Sequence, residues 1–137
     1  MERGTYKVVS KAKEAINPAV GPKPVGPYSP AIAYGDLVFV SGQGPGNPAT
    51  GQVEKGDVTS EMKLVMENIR ILLEAAGSGL DRVLKTTVYL ANMDDFARMN
   101  ELYKTYFSEP YPARTTIQAG RLPMGINVEI DAIASRG

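Results

Sequence analysis

An α+β domain is the fold this sequence predicts, and three observations predict it. Two segments repeat apolar residues at spacings of three and four. The segments around them are extended runs rich in Val, Thr, Ile and Tyr. The order is β-β-β-α-β-α-β-β. Two helices can cover one face of such a sheet, which gives a layered α+β arrangement. A chain of 137 residues reads as one domain spanning residues 1–137, long enough to bury roughly two thirds of the surface its unfolded form exposes.

Each element has its own signal. Residues 1–5 read as a flexible N-terminus. Tyr6–Ser10 is a short strand. Residues 17–30 hold five prolines (Pro18, Pro22, Pro24, Pro27 and Pro30), which forbids a helix and favours an extended loop. Ala31–Ala33 and Leu37–Ser41 are strands joined at Gly35-Asp36, and Gly42–Gly51 is loop. Asp57 or Thr59 caps a helix running to about Ala76. Met62, Val65, Met66, Ile69, Leu72, Leu73 and Ala76 form its buried stripe, while Glu61, Lys63, Glu67, Arg70 and Glu74 lie off it. Gly77 ends this helix as a left-handed cap. Val83–Ala91 is a strand rich in β-branched residues. Asp94–Phe107 is a second helix with Phe96, Met99, Leu102, Tyr103 and Tyr106 on a stripe, and Pro110 and Pro112 prevent its continuation. Arg114–Ala119 and Asn127–Ser135 complete the sheet. In the last strand Val128, Ile130, Ala132 and Ala134 share one face, and Asn127, Glu129, Asp131 and Ile133 the other.

In Leu37-Val38-Phe39-Val40 both alternating sets are apolar, so this strand asks for burial on both faces. Two helices cover one of them. Partner copies of the chain are expected on the second, which predicts a symmetric oligomer.

Fifteen basic and fifteen acidic residues cancel, so counterion release would contribute little to nucleic-acid binding. No stretch approaches the length of a membrane-spanning helix, and the start lacks the apolar run of a signal peptide. A cytoplasmic location with no membrane partner is the expectation. The chain has no histidine and no cysteine. That excludes a Ser-His-Asp triad, a thiol nucleophile and a His/Cys zinc site. No acidic cluster has the spacing of a Ca²⁺ or Mg²⁺ loop. Gly42-Gln43-Gly44-Pro45-Gly46 is no phosphate loop, because Asn47 stands at the third motif position and no helix follows at once.

The groups left for chemistry are few. Arg114 enters a strand just after two prolines, and its planar fork can bind a carboxylate with two parallel hydrogen bonds. Glu129 sits fifteen positions later on another strand; in a cleft, desolvation would raise its pKa and help it donate a proton. Asp131 points the same way, about 7 Å further along, and could be the functional carboxylate instead. Each also has a plain reading, as a surface ion-pair partner. Tyr28, stiffened by its proline neighbours, is either cleft wall or a buried phenol. Ser41 has no base to make it a nucleophile.

Gly26-Pro27-Tyr28-Ser29, Ser41-Gly42-Gln43, Ala75-Ala76-Gly77, Asn100–Tyr103, Pro112-Ala113-Arg114, Leu122-Pro123 and Val128-Glu129-Ile130 occur in that order. Together they closely resemble the RidA/YjgF/YER057c/UK114 family of reactive-intermediate deaminases, over about Lys7 to Ala134. The resemblance implies a chorismate-mutase-like (YjgF-like) α+β fold, with a mixed β-sheet and two helices on one face. It implies a homotrimer with an active-site cleft between each pair of neighbouring subunits. It implies hydrolysis of 2-enamino or 2-imino acids, such as 2-aminoacrylate and 2-iminopropanoate, to a 2-keto acid and ammonia, with no cofactor. By motif, Arg114 is the substrate-carboxylate clamp and Glu129 the acid/base group. The resemblance also puts Tyr28 with the catalytic residues, lining the cleft beside Ser41; Ser41, the Gly42 N–H and Thr116, which stands where many members carry cysteine, are its further substrate-binding groups. The sequence departs from the family pattern at Pro30, Thr116, Met124 and Ile126-Asn127, and in a longer loop around Pro18–Pro24. Those departures bear on cleft shape and substrate size. An alternative is a non-catalytic 2-keto-acid-binding, regulatory or chaperone-like module on the same fold. RNA cleavage or translation inhibition, attributed to some relatives, is opposed by the zero net charge and the lack of histidine.

Overall fold

A computed structural model describes residues 11–137; the strand expected at Tyr6–Ser10 lies outside them. In chain order the elements are β1 (Glu14–Ile16), β2 (Ala31–Tyr34), β3 (Leu37–Gln43), α1 (Val58–Ala75), β4 (Val83–Leu90), α2 (Phe96–Tyr106), β5 (Ala113–Gln118) and β6 (Val128–Ser135). The expected elements from β2 onward are all present, with ends moved by a few residues. β1 was not foreseen. Its three residues carry no extended pattern of their own, and pairing of Ile16 with Ala31 and of Glu14 with Ala33 makes them a strand.

Asp57, not Thr59, caps α1: its carboxylate accepts the Ser60 N–H at 2.8 Å. Gly77 has φ 83°, and the Ser78 N–H returns to the Leu73 carbonyl at 2.8 Å, which closes the C-terminus. α2 starts later than expected. Met93–Asp95 forms a short 3₁₀ turn whose Asp94 N–H is held by the Asn92 side chain at 2.9 Å, and the α-helix begins only at Phe96.

The sheet order is β1-β2-β3-β6-β4-β5. Every pairing is antiparallel except β4 with β5. A parallel pair cannot be joined by a tight turn, and α2 is the crossover between them. Val38, Val40, Val88, Leu90, Val128, Ile130, Ala132 and Ala134 all face the helices and merge with the α1 stripe into one core. Burial of a side chain such as Leu72 or Ile69 stabilises the fold by about 1.5–3 kcal/mol each. The opposite face of the sheet has no covering element among the described residues. There Leu37 and Phe39 remain 38% and 41% exposed, so the second apolar face of β3 is open among the described residues.

One assignment needs correction. Glu61 was expected on the polar side of α1, but it is 0% exposed. Helical spacing cannot show that the first turn of α1 meets the start of β6. There Glu61 accepts the backbone and side-chain N–H groups of Asn127, each at 2.7 Å, and the Gly56 N–H at 3.1 Å. A carboxylate saturated with donors tolerates such burial.

Candidate active site

The predicted residues fall into two groups on opposite faces of the sheet. Arg114 lies on β5, an edge strand, in register with Thr86. Thr86 points to the helices, where its hydroxyl bonds the Tyr103 hydroxyl at 2.7 Å. Arg114 shares that side. Its guanidinium carbon sits 4.7 Å from the Tyr103 ring centroid and 5.6 Å from that of Phe96, and one of its nitrogens contacts the Met99 sulfur at 3.9 Å. Burial raises the Tyr103 phenol pKa, opposed by the Thr86 bond and the Arg114 charge. Among the described residues no carboxylate is within ion-pair distance of Arg114. The cation is steadied by aromatic faces, and its hydrogen-bonding fork is not committed to an acid. Two residues on, the Thr116 hydroxyl is buried and has no hydrogen-bond partner.

Glu129 lies on β6 in register with Tyr89, on the face away from the helices. It lines a cavity of about 520 Å³ with Tyr28, Gly42, Pro123 and Met124. Burial first, and the Asp131 carboxylate second, push the Glu129 carboxyl above the ordinary glutamate range. β3 bulges where Val40 and Gln43 pair with Ala132 and Ile130, so Ser41 and Gly42 lie opposite Asp131. A Cβ on Gly42 would stand 3.0 Å from the Glu129 carboxyl carbon and closer still to Oε2. Glycine at 42 is therefore what leaves room for the Glu129 carboxylate.

Tyr28 is 49% exposed at the cavity wall. Ser41 anchors its loop: the Ser41 hydroxyl donates to the Ser29 carbonyl at 2.7 Å and the Ser41 N–H to the Pro30 carbonyl at 2.9 Å. The structure thus brings Tyr28, Gly42 and Glu129 together in one cavity. Arg114 and Thr116 belong to the other face, and Ser41 supports the loop behind the wall. The Phe96–Met99–Tyr103 cage around Arg114 was not identified as part of a site from sequence. The α2 stripe held Phe96, Met99 and Tyr103 all along, but only the β4-α2-β5 crossover places it over Arg114. Among the described residues no group of His, Cys, Asp or Glu is arranged to hold a metal ion.

A family model described as endoribonuclease L-PSP, the RidA/YjgF family, matches residues 19–136. The chain belongs to this family. A RutC family protein of Pyrococcus abyssi is 50% identical over 90% of this chain and 97% of its own. The human protein named 2-iminobutanoate/2-iminopropanoate deaminase is 40% identical, covering 93% of each chain. The solved structure of E. coli TdcF with bound serine superposes with TM-score 0.83 at 36% identity, covering 90% of this chain and 99% of that one. The mixed six-stranded sheet with two helices is the RidA/YjgF fold.

Proposed function

We propose that this RidA/YjgF protein is a hydrolytic deaminase of reactive 2-enamino and 2-imino acids, such as 2-aminoacrylate and 2-iminopropanoate. The observation that carries this reading is a complementary pair of half-sites on one chain. One is an arginine that has no acid partner among the described residues, set beside a hydroxyl that has no hydrogen-bond partner there. The other is a glutamate with raised proton affinity in a cavity. Because they occupy opposite faces, and Arg114 lies on a sheet edge, they meet only when two copies adjoin. A homotrimer, whose neighbours would cover the open face carrying Leu37 and Phe39, builds such a site at each seam. The names of the mammalian relatives support the substrate class.

In this mechanism the fork of Arg114 binds the substrate carboxylate, and the Thr116 hydroxyl bonds beside it. The C=N carbon then lies over Glu129 of the neighbouring copy. Glu129 orients a water molecule. The water oxygen adds to the C=N carbon, the π pair moves to nitrogen, and protons pass through the carboxyl to that nitrogen. The carbinolamine then loses ammonia as its hydroxyl proton leaves and the C=O bond forms. Tyr28 walls the cleft. General acid–base help of about 10²–10⁴-fold is enough, since water attacks such imines unaided. The reaction needs no cofactor and no nucleic acid, and it suits a cytoplasmic protein that removes a reactive intermediate.

The test is ammonia release from iminopropanoate generated in situ by an amino-acid oxidase. Multiple turnovers support the proposal. Parent-like activity in Arg114→Ala would overturn the clamp. The serine held by the E. coli relative gives a second reading some support, a module that binds small amino or keto acids without turnover. Calorimetric 2-ketobutyrate binding with no ammonia release would decide for it.

A further inference from the structure

Glu129 is not the only carboxylate on its face. Asp131 follows two residues later on β6, which puts it on the same side about 7 Å along. The Tyr89 hydroxyl donates to Asp131 Oδ2 at 3.0 Å, while Tyr89 itself is in register with Glu129. One phenol therefore stands beside Glu129 and holds Asp131. Among the described residues neither carboxylate is in an ion pair.

Other groups also face this pair. From β4 there are Tyr89, Thr87 in register with Asp131, and Lys85 in register with Ile133. From β3 there are the uncharged Ser41 and Gly42. From the proline-rich loop, Tyr28 and Lys23 line the cavity. In the proposed assembly the neighbour's Arg114 joins them, and a guanidinium near a carboxyl lowers its pKa by about 1–3 units. That would strip Glu129 of the proton it needs to give to the leaving nitrogen.

We propose that Asp131, pinned by Tyr89, is the counter-charge that lets Glu129 keep its proton when a neighbour's Arg114 closes the cleft. This rests on the deaminase reading for its purpose but not for its test. The raised Glu129 pKa, with the Asp131 charge as second cause, agrees with it. The Tyr89 phenol is raised too, by burial first and then by its bond to Asp131, so it stays a donor at neutral pH.

Asp131→Asn keeps the shape and still accepts the Tyr89 hydrogen bond, so only the charge is lost. The measurement is the Glu129 carboxyl titration by ¹³C NMR in the assembled protein, for the parent, Asp131→Asn and Tyr89→Phe. Asp131→Asn should lower the Glu129 pKa, and Tyr89→Phe should lower it by less. In turnover, the loss of kcat with rising pH should move down by the same amount in Asp131→Asn, with KM unchanged. An unmoved Glu129 titration in Asp131→Asn overturns this inference even if the protein turns over imines. A shifted titration in a protein with no turnover supports it and overturns the deaminase reading instead.

Discussion

Mixing two impaired variants tests the proposed shared cleft directly. Arg114→Ala removes a charge-assisted contact of about 1.5–3 kcal/mol, a loss of roughly 10- to 150-fold in kcat/KM. Glu129→Gln removes acid–base help of about 10²–10⁴-fold. Within one chain Arg114 faces the helices and Glu129 faces away from them, so the proposed cleft would take Arg114 from one copy and Glu129 from the next. If equal amounts of the two variants are unfolded together and reassembled at random, each contribution is intact half the time. About a quarter of the clefts are then complete, whatever the size of the ring. The assay is ammonia release at substrate concentrations below KM, for each variant alone and for the mixture. Recovery near a quarter of parental activity is expected. A mixture no more active than the average of its two components, with subunit exchange confirmed by mass spectrometry, would refute the shared cleft.

Arg114→Lys keeps the charge but not the planar fork, so KM for the imino acid should rise about 10-fold or more while the fold is retained, as steady-state kinetics and circular dichroism would show. Gly42→Ala puts a methyl group where the Glu129 carboxylate lies; turnover should fall by up to about 100-fold with little change in melting temperature, and unchanged turnover would remove Gly42 from the site. Because the Glu129 pKa is raised in the fold, its contribution to stability is full below about pH 4.5 and is lost as pH rises through the raised value. Glu129→Gln should therefore melt higher than the parent at neutral pH, with the gap closing toward pH 4 in a thermal-melt series. Glu61→Ala leaves the Gly56 and Asn127 N–H groups without their acceptor and should cost about 1–3 kcal/mol per orphaned donor, seen as a lower midpoint in urea.

Much of this fold can be read from short-range pattern. The α1 stripe from Met62 to Ala76 and the alternation in β6 each encode burial within a few residues, and both appear as expected. Glu61 shows where that reading stops. Its spacing says solvent, yet its partner Asn127 lies sixty-six positions away, and no local period encodes a contact of that range. β1 is strand-like only because β2 lies alongside it. The site divides in the same way. The motifs point to Arg114 and Glu129 individually, but whether they share a face depends on sheet order and crossover. That is why two residues expected in one cleft lie on opposite faces of one chain.

This separation has a chemical consequence. With no histidine in the chain, the proposed reaction draws its proton donor from a carboxyl group and its anion clamp from a guanidinium. Placed side by side in one folded chain, the two would pair. The pair would lower the glutamate pKa, fill the fork and leave neither group free for substrate. The fold prevents this by position. Arg114 rests on the rings of Phe96 and Tyr103 on one face, while Glu129 lies beside Asp131, a like charge, on the other. An aromatic face steadies a cation without neutralising it, and a like charge favours protonation of its neighbour. In the proposed assembly each half-site would thus keep its reactivity until a neighbouring copy brought the other within reach. The carboxylate of the proposed substrate would then occupy the arginine before the glutamate did.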